Sequence, residues 1–328
     1  MTDQTIPSLD PRLARRLAEK NAALDRYRPL AQQVVRRLND ELRVLLTYHS
    51  NAIEGNTLSL RETQLVIEHG VTVGGHTLRE YLEATNHAEA LDYLIRLADD
   101  RTPITAETIL ELHRLTMATI LEDAGAFRRT AVSIRGARLT PPPSAQRPNL
   151  IAAWVSWVEG EGKRYEPIVR AAIAHHGFEA VHPFEDGNGR TGRLLLNLML
   201  MRGGYVPALL LRDWRVGYIQ ALGSADAGNY RPLANLIGRA VEGGLDLYLA
   251  ACEAEPDSEY LKLDELAERT GYAAPHLGWL IRKGRLAAEK RGGRWYSTVA
   301  AVERYRAEVE REEVQKGRPK REHRGDPG

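Results

Sequence analysis

Cysteine is almost absent from this chain of 328 residues, in which Cys252 is the only one. A single thiol excludes an intrachain disulfide and favours a reducing compartment. No apolar run approaches the ~20 residues that cross a bilayer, and the N-terminus lacks the long apolar segment of a signal peptide. We therefore expect a soluble, cytoplasmic protein without a membrane partner.

An excess of either charge is also missing. The 45 Lys and Arg residues nearly balance the 44 Asp and Glu residues, for a formal net charge of +1. The molecule as a whole is therefore not an electrostatic binder of nucleic acid, although basic residues gather in its last third. The hydrophobic content of 43% and the charged content of 27% are those of a globular protein, long enough for two or three domains.

The chain does contain a polar, glycine-bearing stretch, residues 182–193, directly before the apolar run 194–200. The apolar run predicts a buried helix, so the polar stretch is a loop that leads into a helix N-terminus. Backbone N–H groups without intrahelical partners and the positive end of the helix dipole meet there. A helix N-terminus of this kind binds anions.

The residues of this stretch suit phosphate groups in particular. Gly187 and Gly189 permit backbone dihedrals that turn N–H groups into one concavity, and Asn188 adds an amide donor. Arg190 and Arg193 are three apart, so both lie on the first helical turn and can reach phosphate oxygens. The stretch is therefore predicted to hold a phosphorylated ligand.

Two further side chains point to catalysis there. Asp186 can hold a divalent cation that bridges phosphates. His182 titrates near neutral pH and can take a proton from an attacking hydroxyl, while Phe184 is an apolar anchor for the loop. Each part alone has a plainer interpretation, because a Gly-Asn-Gly step is usually a turn and a histidine before proline usually packs structurally.

The joint pattern His-x-Phe-x-Asp-Gly-Asn-Gly-Arg-x-x-Arg over residues 182–193 resembles the signature of the Fic family. The resemblance implies a mainly helical enzyme that transfers AMP from ATP to a Ser, Thr or Tyr hydroxyl of a protein target or of itself. It implies that His182 is the general base and that Asp186 holds Mg²⁺ (or Mn²⁺). The implied phosphate ligands are Gly187, Asn188, Gly189, Arg190 and, for the γ-phosphate, Arg193.

A second element is similar to the inhibitory motif of the same family. Ser50-x-x-x-Glu54-Gly55 lies on a predicted helix over about 43–56, whose end is marked by Gly55 and by a Ser59/Glu62 capping box that starts the next helix. Without the resemblance, Glu54 is a solvated residue at a helix end. With it, Glu54 is implied to pair with Arg193, to exclude the γ-phosphate and to position a water that removes AMP.

The resemblance also assigns segments around the motif. Residues 125–136 are predicted to form a short hairpin, either a surface ribbon or the flap that docks the target backbone, and the docking residues are Arg129, Thr130, Ala131, Val132, Ser133 and Ile134. Tyr218 either walls the adenine pocket or packs in the core. His175 and His176 are predicted to be structural.

The C-terminal third changes character after the acidic segment 253–259, which reads as a linker. Residues 258–312 predict a helix, a tight turn, a second helix and a two-stranded wing around Gly292-Gly293, which resembles an excisionase-type winged helix-turn-helix. Arginines and lysines on the second helix and wing favour DNA, and a protein-interaction module is the alternative. Residues 313–328 predict a disordered basic tail.

The predicted fold class is therefore all-α, with a β-hairpin flap and a small winged helix-turn-helix domain. The predicted regions are 1–100 (N-terminal helices), 101–252 (catalytic core), 258–312 and 313–328. The first functional hypothesis is an autoinhibited protein adenylyltransferase, with a homodimer as a further expectation. The alternatives are a DNA-binding regulator whose core is a sensor, and a transferase that uses another nucleotide.

Overall fold

The protein is described by a computed structural model. It describes residues 7–28, 30, 32–72, 74–100, 102–133, 140–253, 260–286, 288–299, 301–303, 305–306 and 309. The chain divides into two compact units, Met1–Cys252 and Glu253–Gly328. The predicted tail 313–328 and Ile134 of the predicted flap lie outside the described residues.

The first unit is built from helices. In chain order they are α1 (Pro11–Asp25), α2 (Gln32–Glu54), α3 (Leu60–His69), α4 (Leu78–Asp100), α5 (Ala106–Met117), α6 (Arg147–Glu159), α7 (Pro167–Val181), α8 (Asn188–Arg202), α9 (Arg215–Asp226) and α10 (Arg231–Glu253). Short 3₁₀ turns lie at Ser144–Gln146, Glu161–Arg164 and Arg212–Trp214. None of the described helices is both long and apolar enough to cross a membrane.

Local signals explain where several of these helices begin and end. Ser59 and Glu62 form the predicted capping box at the start of α3, and Thr105 caps α5 with Thr108. Gly55, directly after α2, has a φ of 107°, a conformation in which glycine avoids the strain of a side chain. Gly55 therefore marks the end of α2, directly after Glu54.

Helix α8 lies at the centre of the first unit and packs against α2, α4, α5 and α7. All residues of its apolar run, 194–200, are buried, as the sequence predicts. One hydrophobic core extends from Leu13 on α1 to Leu245 on α10. Residues of both predicted regions, 1–100 and 101–252, contribute to this core.

The second unit is smaller and has a core of its own, which includes Leu266, Leu277 and Leu280. Its elements are β1 (Leu261–Lys262), α11 (Leu263–Thr270), α12 (Ala274–Arg282), β2 (Glu289–Arg291) and β3 (Arg294–Ser297). The antiparallel strands are ordered β1-β3-β2, and positive φ angles at Gly292 and Gly293 make the tight turn of the β2–β3 hairpin. Strand β1 was not predicted, and the winged helix-turn-helix assignment stays a prediction.

Candidate active site

His182 stands at the junction between α7 and the loop that leads into α8. It is the C-cap of α7 in the left-handed conformation, with a φ of 48°, and its N–H donates to the Phe178 carbonyl over 3.0 Å. A non-glycine residue in this conformation costs roughly 1–2 kcal/mol, so its surroundings must hold it. Arg128 does so by donating from Nε to the His182 carbonyl over 2.8 Å.

The His182 ring is arranged to accept a proton. Its Nδ1 lies 3.3 Å from the Glu179 carbonyl, and because a carbonyl only accepts, the proton is placed on Nδ1 and Nε2 is the acceptor. Burial is the main reason that the pKa of His182 is lowered from its ordinary value of 6.5, and nearby Arg128 lowers it further. The ring is therefore neutral at pH 7, as a general base must be.

The side chain of Asn188 closes the motif loop. Its Oδ1 accepts from the Phe184 N–H and its Nδ2 donates to the Phe184 carbonyl, both over 2.9 Å. Phe184 is fully buried and stacks on His113 with ring centroids 3.6 Å apart. The structural role expected for Phe184 is confirmed, whereas the side-chain donor expected of Asn188 is already used within the loop.

The two glycines of the loop serve different purposes. Gly187 has a φ of 78°, and a Cβ there would lie 2.7 Å from Met117 Sδ. Gly189 lies in α8 without a positive φ, so the special dihedral expected of it is wrong. It provides room instead, because a Cβ there would lie 2.2 Å from Glu54 Oε1.

Arg193 is bound by α2. It is 4% exposed, donates from Nε to Ser50 Oγ over 3.0 Å, and donates from Nη2 to the Ser50 carbonyl over 2.8 Å. Its Nη2 also lies 2.8 Å from Glu54 Oε1, which is the predicted ion pair. Burial opposes the charge of Arg193, but Glu54, Tyr218 and Glu179 outweigh it and raise the pKa.

Arg190 lies between two carboxylates. It is 2% exposed, with Nη1 3.0 Å from Glu83 Oε1 and Nη2 3.3 Å from Asp186 Oδ1. Asp186 also accepts from the Gly187 N–H over 2.6 Å and from Arg79 Nη2. Burial alone would raise the pKa of Asp186, but Arg190, the Gly187 N–H and Arg79 lower it, so the carboxylate is charged.

Asp186 fits a cation that is shared with a substrate. Within the described part of the chain, no group of three or more His, Cys, Asp or Glu residues could hold a metal. Mg²⁺ commonly needs only one or two carboxylates when substrate phosphates complete its shell. One charged, half-buried carboxylate beside a helix N-terminus meets that need once Arg79 leaves Oδ2.

Tyr218, His175 and His176 are all buried and engaged. The Tyr218 hydroxyl lies 2.6 Å from His175 Nε2, and His175 Nδ1 lies 3.1 Å from the Gly192 carbonyl. His176 Nε2 lies 2.9 Å from Asp226 Oδ1. These contacts suit the structural role predicted for both histidines, and the contact of Tyr218 with adenine stays a prediction.

The predicted flap differs from a hairpin where it is described. Residues 125–133 contain no strand. The Arg128 N–H donates to the Pro183 carbonyl over 2.9 Å, and its guanidinium reaches the carbonyls of His182, Thr130 and Pro142. This segment is therefore fixed to the motif loop, and Thr130 Oγ1 adds a 2.9 Å contact to Glu185 Oε1.

Sequence reasoning missed several residues of the site: Arg79, Glu83, Arg128 and Glu179. Arg79 and Glu83 come from α4, about a hundred residues before the motif, and their i,i+4 spacing indicates only a surface ion pair. Glu179 precedes His182 by one helical turn, and burial raises the pKa of its carboxyl to about 8. None of these has a local signal that points to the motif.

Comparison with known proteins identifies relatives of this chain. The profile of the Fic/DOC family matches residues 103–200. The chain is 36% identical to Protein adenylyltransferase fic-1 of Caenorhabditis elegans over 68% of this chain and 44% of that protein. It is 35% identical to Protein adenylyltransferase Fic of Drosophila grimshawi over 78% of this chain and 53% of that protein. The chain thus spans about half the length of these curated relatives.

Solved structures agree with the sequence matches. A fragment of Fic-1 from C. elegans superposes with a TM-score of 0.66 and 33% identity, covering 74% of this chain and 73% of that one. A Fic domain-containing signalling protein from Bacteroides thetaiotaomicron gives a TM-score of 0.68 at 27% identity, covering 74% of this chain and 99% of that one.

Proposed function

This chain belongs to the Fic/DOC family, and from that membership we propose that it is a protein adenylyltransferase that its own helix α2 inhibits. It transfers AMP from ATP to a Ser, Thr or Tyr hydroxyl of a protein target or of itself. The observation that carries the proposal is the environment of His182. Its ring is neutral, and it begins the loop that the Asn188 side chain closes and that leads into the N-terminus of α8. The family relatives named as adenylyltransferases support the choice of AMP.

The proposed reaction uses this geometry directly. The target hydroxyl oxygen bonds to the α-phosphorus, the bond from that phosphorus to the bridging oxygen breaks, and pyrophosphate leaves. His182 Nε2 takes the hydroxyl proton. The N–H groups of the first turn of α8, together with Arg190, hold phosphate oxygens while charge develops.

A divalent cation, Mg²⁺ or Mn²⁺, is held by Asp186 in this proposal. When bound, it neutralises phosphate charge. The chain's own task is to present the Asp186 carboxylate, which the Gly187 N–H and Arg190 keep charged and oriented.

The proposed inhibition is a competition for one guanidinium. Arg193 binds the γ-phosphate only when Glu54 has released it, because Ser50 and Glu54 now take its Nε and Nη2. The Glu54 side chain is 38% exposed, so this partner can leave Arg193 more easily than a buried one. A shift of about 1.4 kcal/mol in this equilibrium changes the ratio of the two forms tenfold. Glu54 also orients a water for AMP removal in this proposal.

Incubation of the full chain with labelled ATP and Mg²⁺ tests the proposal. Glu54→Gly should label itself or a target more strongly than the unsubstituted chain, and Glu54→Gln should do so without a change in side-chain size. Glu54→Gly combined with His182→Ala should give no label while still binding ATP. Equal labelling with and without His182 would contradict its role as the base.

The nucleotide is tested separately, because phosphate contacts alone do not select the base. Intact-mass measurement of Glu54→Gly after incubation with ATP, UTP or GTP should show added AMP as the dominant product. A dominant UMP or GMP adduct would replace ATP in the proposal, and an added phosphate or phosphocholine would change the transferred group.

Target docking and self-association complete this proposal. Residues 129–133 lie beside the motif loop, to which Arg128 and Thr130 fix the chain, and they are mostly exposed. They are therefore proposed to position the target. The described residues of this segment form no strand whose edge could pair with the target backbone. The expected homodimer is checked by sedimentation of the full chain at increasing concentration.

A second candidate function, nucleic-acid binding, concerns the second unit. The exposed side of α12 carries Pro275, His276, Trp279, Arg282 and Lys283. No acidic residue occurs between Glu268 and Glu289, so this surface is basic although the whole chain is nearly neutral. The exposed Trp279 and the stacked rings of Tyr272 and His276 add surfaces on which bases stack.

Salt dependence distinguishes this candidate from a protein-binding module. The full chain should bind a short duplex DNA with an affinity that falls as salt rises. Arg282→Ala combined with Lys283→Ala should weaken binding and flatten that dependence. Absent or salt-insensitive binding would favour a protein partner for this unit.

A further inference from the structure

One buried carboxylate, Glu83 on α4, contacts both Arg190 and the residues that follow α2. The residue is 8% exposed. Its Oε1 lies 3.0 Å from Arg190 Nη1 and accepts from Arg79 Nε over 3.1 Å, while its Oε2 accepts from Asn56 Nδ2 over 3.0 Å. One oxygen of Glu83 therefore faces Arg190, the proposed phosphate ligand. The other accepts a hydrogen bond from Asn56, which lies two positions after Glu54.

The chain on both sides of Glu54 is tied to this turn of α4. Asn51 Nδ2 donates to the Glu83 carbonyl over 3.0 Å, and Asn56 Nδ2 donates to the Glu80 carbonyl over 3.0 Å. The Thr57 N–H donates to Glu80 Oε1 over 2.9 Å. The end of α2 is thus positioned by α4 as well as by the Glu54–Arg193 pair.

Arg190 depends on the same carboxylate. Its guanidinium is almost fully buried, and neither its Nε nor its Nη1 has a hydrogen-bond partner among the described residues. The 3.0 Å contact between Nη1 and Glu83 is therefore an ion pair without hydrogen-bond geometry. A buried guanidinium needs opposite charge, and Asp186 is the other carboxylate within 4 Å of it in the described structure. If Asp186 turns toward a cation, Glu83 is the counter-charge that stays.

We propose that Glu83 is a positioning residue that couples the phosphate-binding Arg190 to the inhibitory end of α2. The proposal rests on the proposed function for its catalytic part. The Arg190 branch holds the guanidinium where charge develops on the phosphates. The Asn56 branch holds Glu54 where it pairs with Arg193. A single change at Glu83 therefore acts on turnover and on inhibition at once.

Three substitutions separate these branches. Glu83→Gln keeps the shape and removes the charge. Asn56→Ala removes the bond to Glu83 together with the bonds to the Glu80 carbonyl and the Leu58 N–H, so it loosens the end of α2 without touching Arg190. Arg79→Ala removes contacts with Glu83 and Asp186 that do not touch α2. Each is made with Glu54 present and with Glu54→Gly. The measured quantity is the inhibition ratio, defined as the labelling rate with Glu54→Gly divided by the rate with Glu54.

Asn56→Ala and Glu83→Gln should each lower the inhibition ratio by about fivefold or more. Arg79→Ala should leave this ratio unchanged. Glu83→Gln should in addition lower kcat in the Glu54→Gly background with little change in the KM for ATP, because Arg190 acts mainly in the transition state. An unchanged ratio for both Asn56→Ala and Glu83→Gln would overturn the coupling.

Hydrogen exchange gives a second measurement that does not need activity. Amides of residues 50–57 should exchange faster in Asn56→Ala and in Glu83→Gln, but not in Arg79→Ala, with thermal unfolding as the check on folding. Unchanged exchange in the first two variants would show that Asn56 and Glu83 do not fix the end of α2. If the chain transfers no nucleotide at all, the proposed function fails while this measurement still decides the coupling.

Discussion

His182 illustrates how much of a residue's chemistry comes from its position. Its backbone at the end of α7 is left-handed, the Glu179 carbonyl accepts a hydrogen bond from Nδ1–H, and burial disfavours the imidazolium. The sequence identifies this histidine through its motif. It does not show the backbone conformation, which depends on Arg128 from a distant segment.

The pH dependence of transfer follows from that environment. The base must be unprotonated, and burial lowers the pKa of His182 below 6.5, so we expect the acid limb of the rate profile of Glu54→Gly to have its midpoint below 6.5. Initial labelling rates at ATP concentrations well below the KM, from pH 4.5 to 8, measure it, because kcat/KM reports the pKa of the free protein. A midpoint above 6.5 would contradict a buried, neutral base.

Glu179 should make the folded protein less stable as the pH rises. Burial raises the pKa of its carboxyl from 4.5 to about 8, so the folded chain binds a proton that the unfolded chain releases between these values. Stability is lost as pH rises through that window, by up to about 1.4 kcal/mol per pH unit. Glu179→Gln should remove this slope in urea unfolding measured from pH 5 to 8. Parallel curves for the two proteins would show that Glu179 is ionised.

At this scale, the sequence predicts the residues whose signals are local. Asp186, Arg190 and Arg193 lie within one short motif of the chain. The pairing of Arg193 with Glu54 is expected from the resemblance of a second short motif. For Asn188 and Gly189 the structure adds a role that the sequence does not show. The Asn188 side chain closes the loop and Gly189 leaves space for Glu54, while their binding of phosphate stays a prediction.

At the scale of elements, the start of α8 depends on a glycine. Gly187 combines a φ of 78° with a Cβ position 2.7 Å from Met117 Sδ, whereas Gly204 has a φ of 86° and nothing within 4 Å of its Cβ position. Gly204→Ala should therefore cost only the backbone strain, of about 1 kcal/mol. Gly187→Ala should cost that strain and an overpacking penalty of about 1–3 kcal/mol.

Chemical unfolding followed by far-UV circular dichroism compares these two variants under one condition. The difference between them isolates the collision with Met117, since both share the positive φ. Equal losses of stability would show that Met117 yields to the new methyl group. Met117→Ala in the Gly187→Ala background should recover part of the difference if the collision is the cause.

The ends of elements show where local rules suffice and where they fail. Capping residues predict the starts of α3 and α5, because a side-chain oxygen and the first free N–H groups are neighbours in sequence. The hairpin expected at 125–136 fails in its described part, 125–133. There the Arg128 backbone and guanidinium bond to the motif loop, which lies about fifty residues further along the chain.

At the scale of the whole molecule, helix α2 and the motif residues 182–193 lie in one compact unit. Arg16 and Lys20 of α1 pair with Glu242 of α10, and the common core includes Leu13 and Leu245. The sequence shows amphipathic helices but not which of them share a core, because that depends on contacts between distant residues. Helix α2 contributes Leu42, Leu46 and Ile53 to this core, so the proposed inhibitory element is also part of the packing of the unit.

Three buried neutral histidines of the first unit should make that stability fall in acid. Burial lowers the pKa values of His87 and His175 to about 3 and of His113 to about 4. His175 Nε2 accepts from the Tyr218 hydroxyl and His113 Nδ1 accepts from the Gly125 N–H, so protonation would remove these contacts. Below pH 6.5 these histidines therefore bind protons in the unfolded chain but stay neutral in the folded chain.

The three histidines should accordingly lower the free energy of unfolding between pH 6.5 and about 4, by up to about 1.4 kcal/mol per pH unit each, while Glu179 offsets about one such contribution above pH 4.5. Urea titrations followed by far-UV circular dichroism measure the slope. His87→Gln removes one titrating group next to Thr47 and should reduce the slope by about one of the three contributions, whatever the substitution costs at pH 7. A slope that is unchanged in His87→Gln would mean that His87 is protonated in the folded protein as readily as in the unfolded chain.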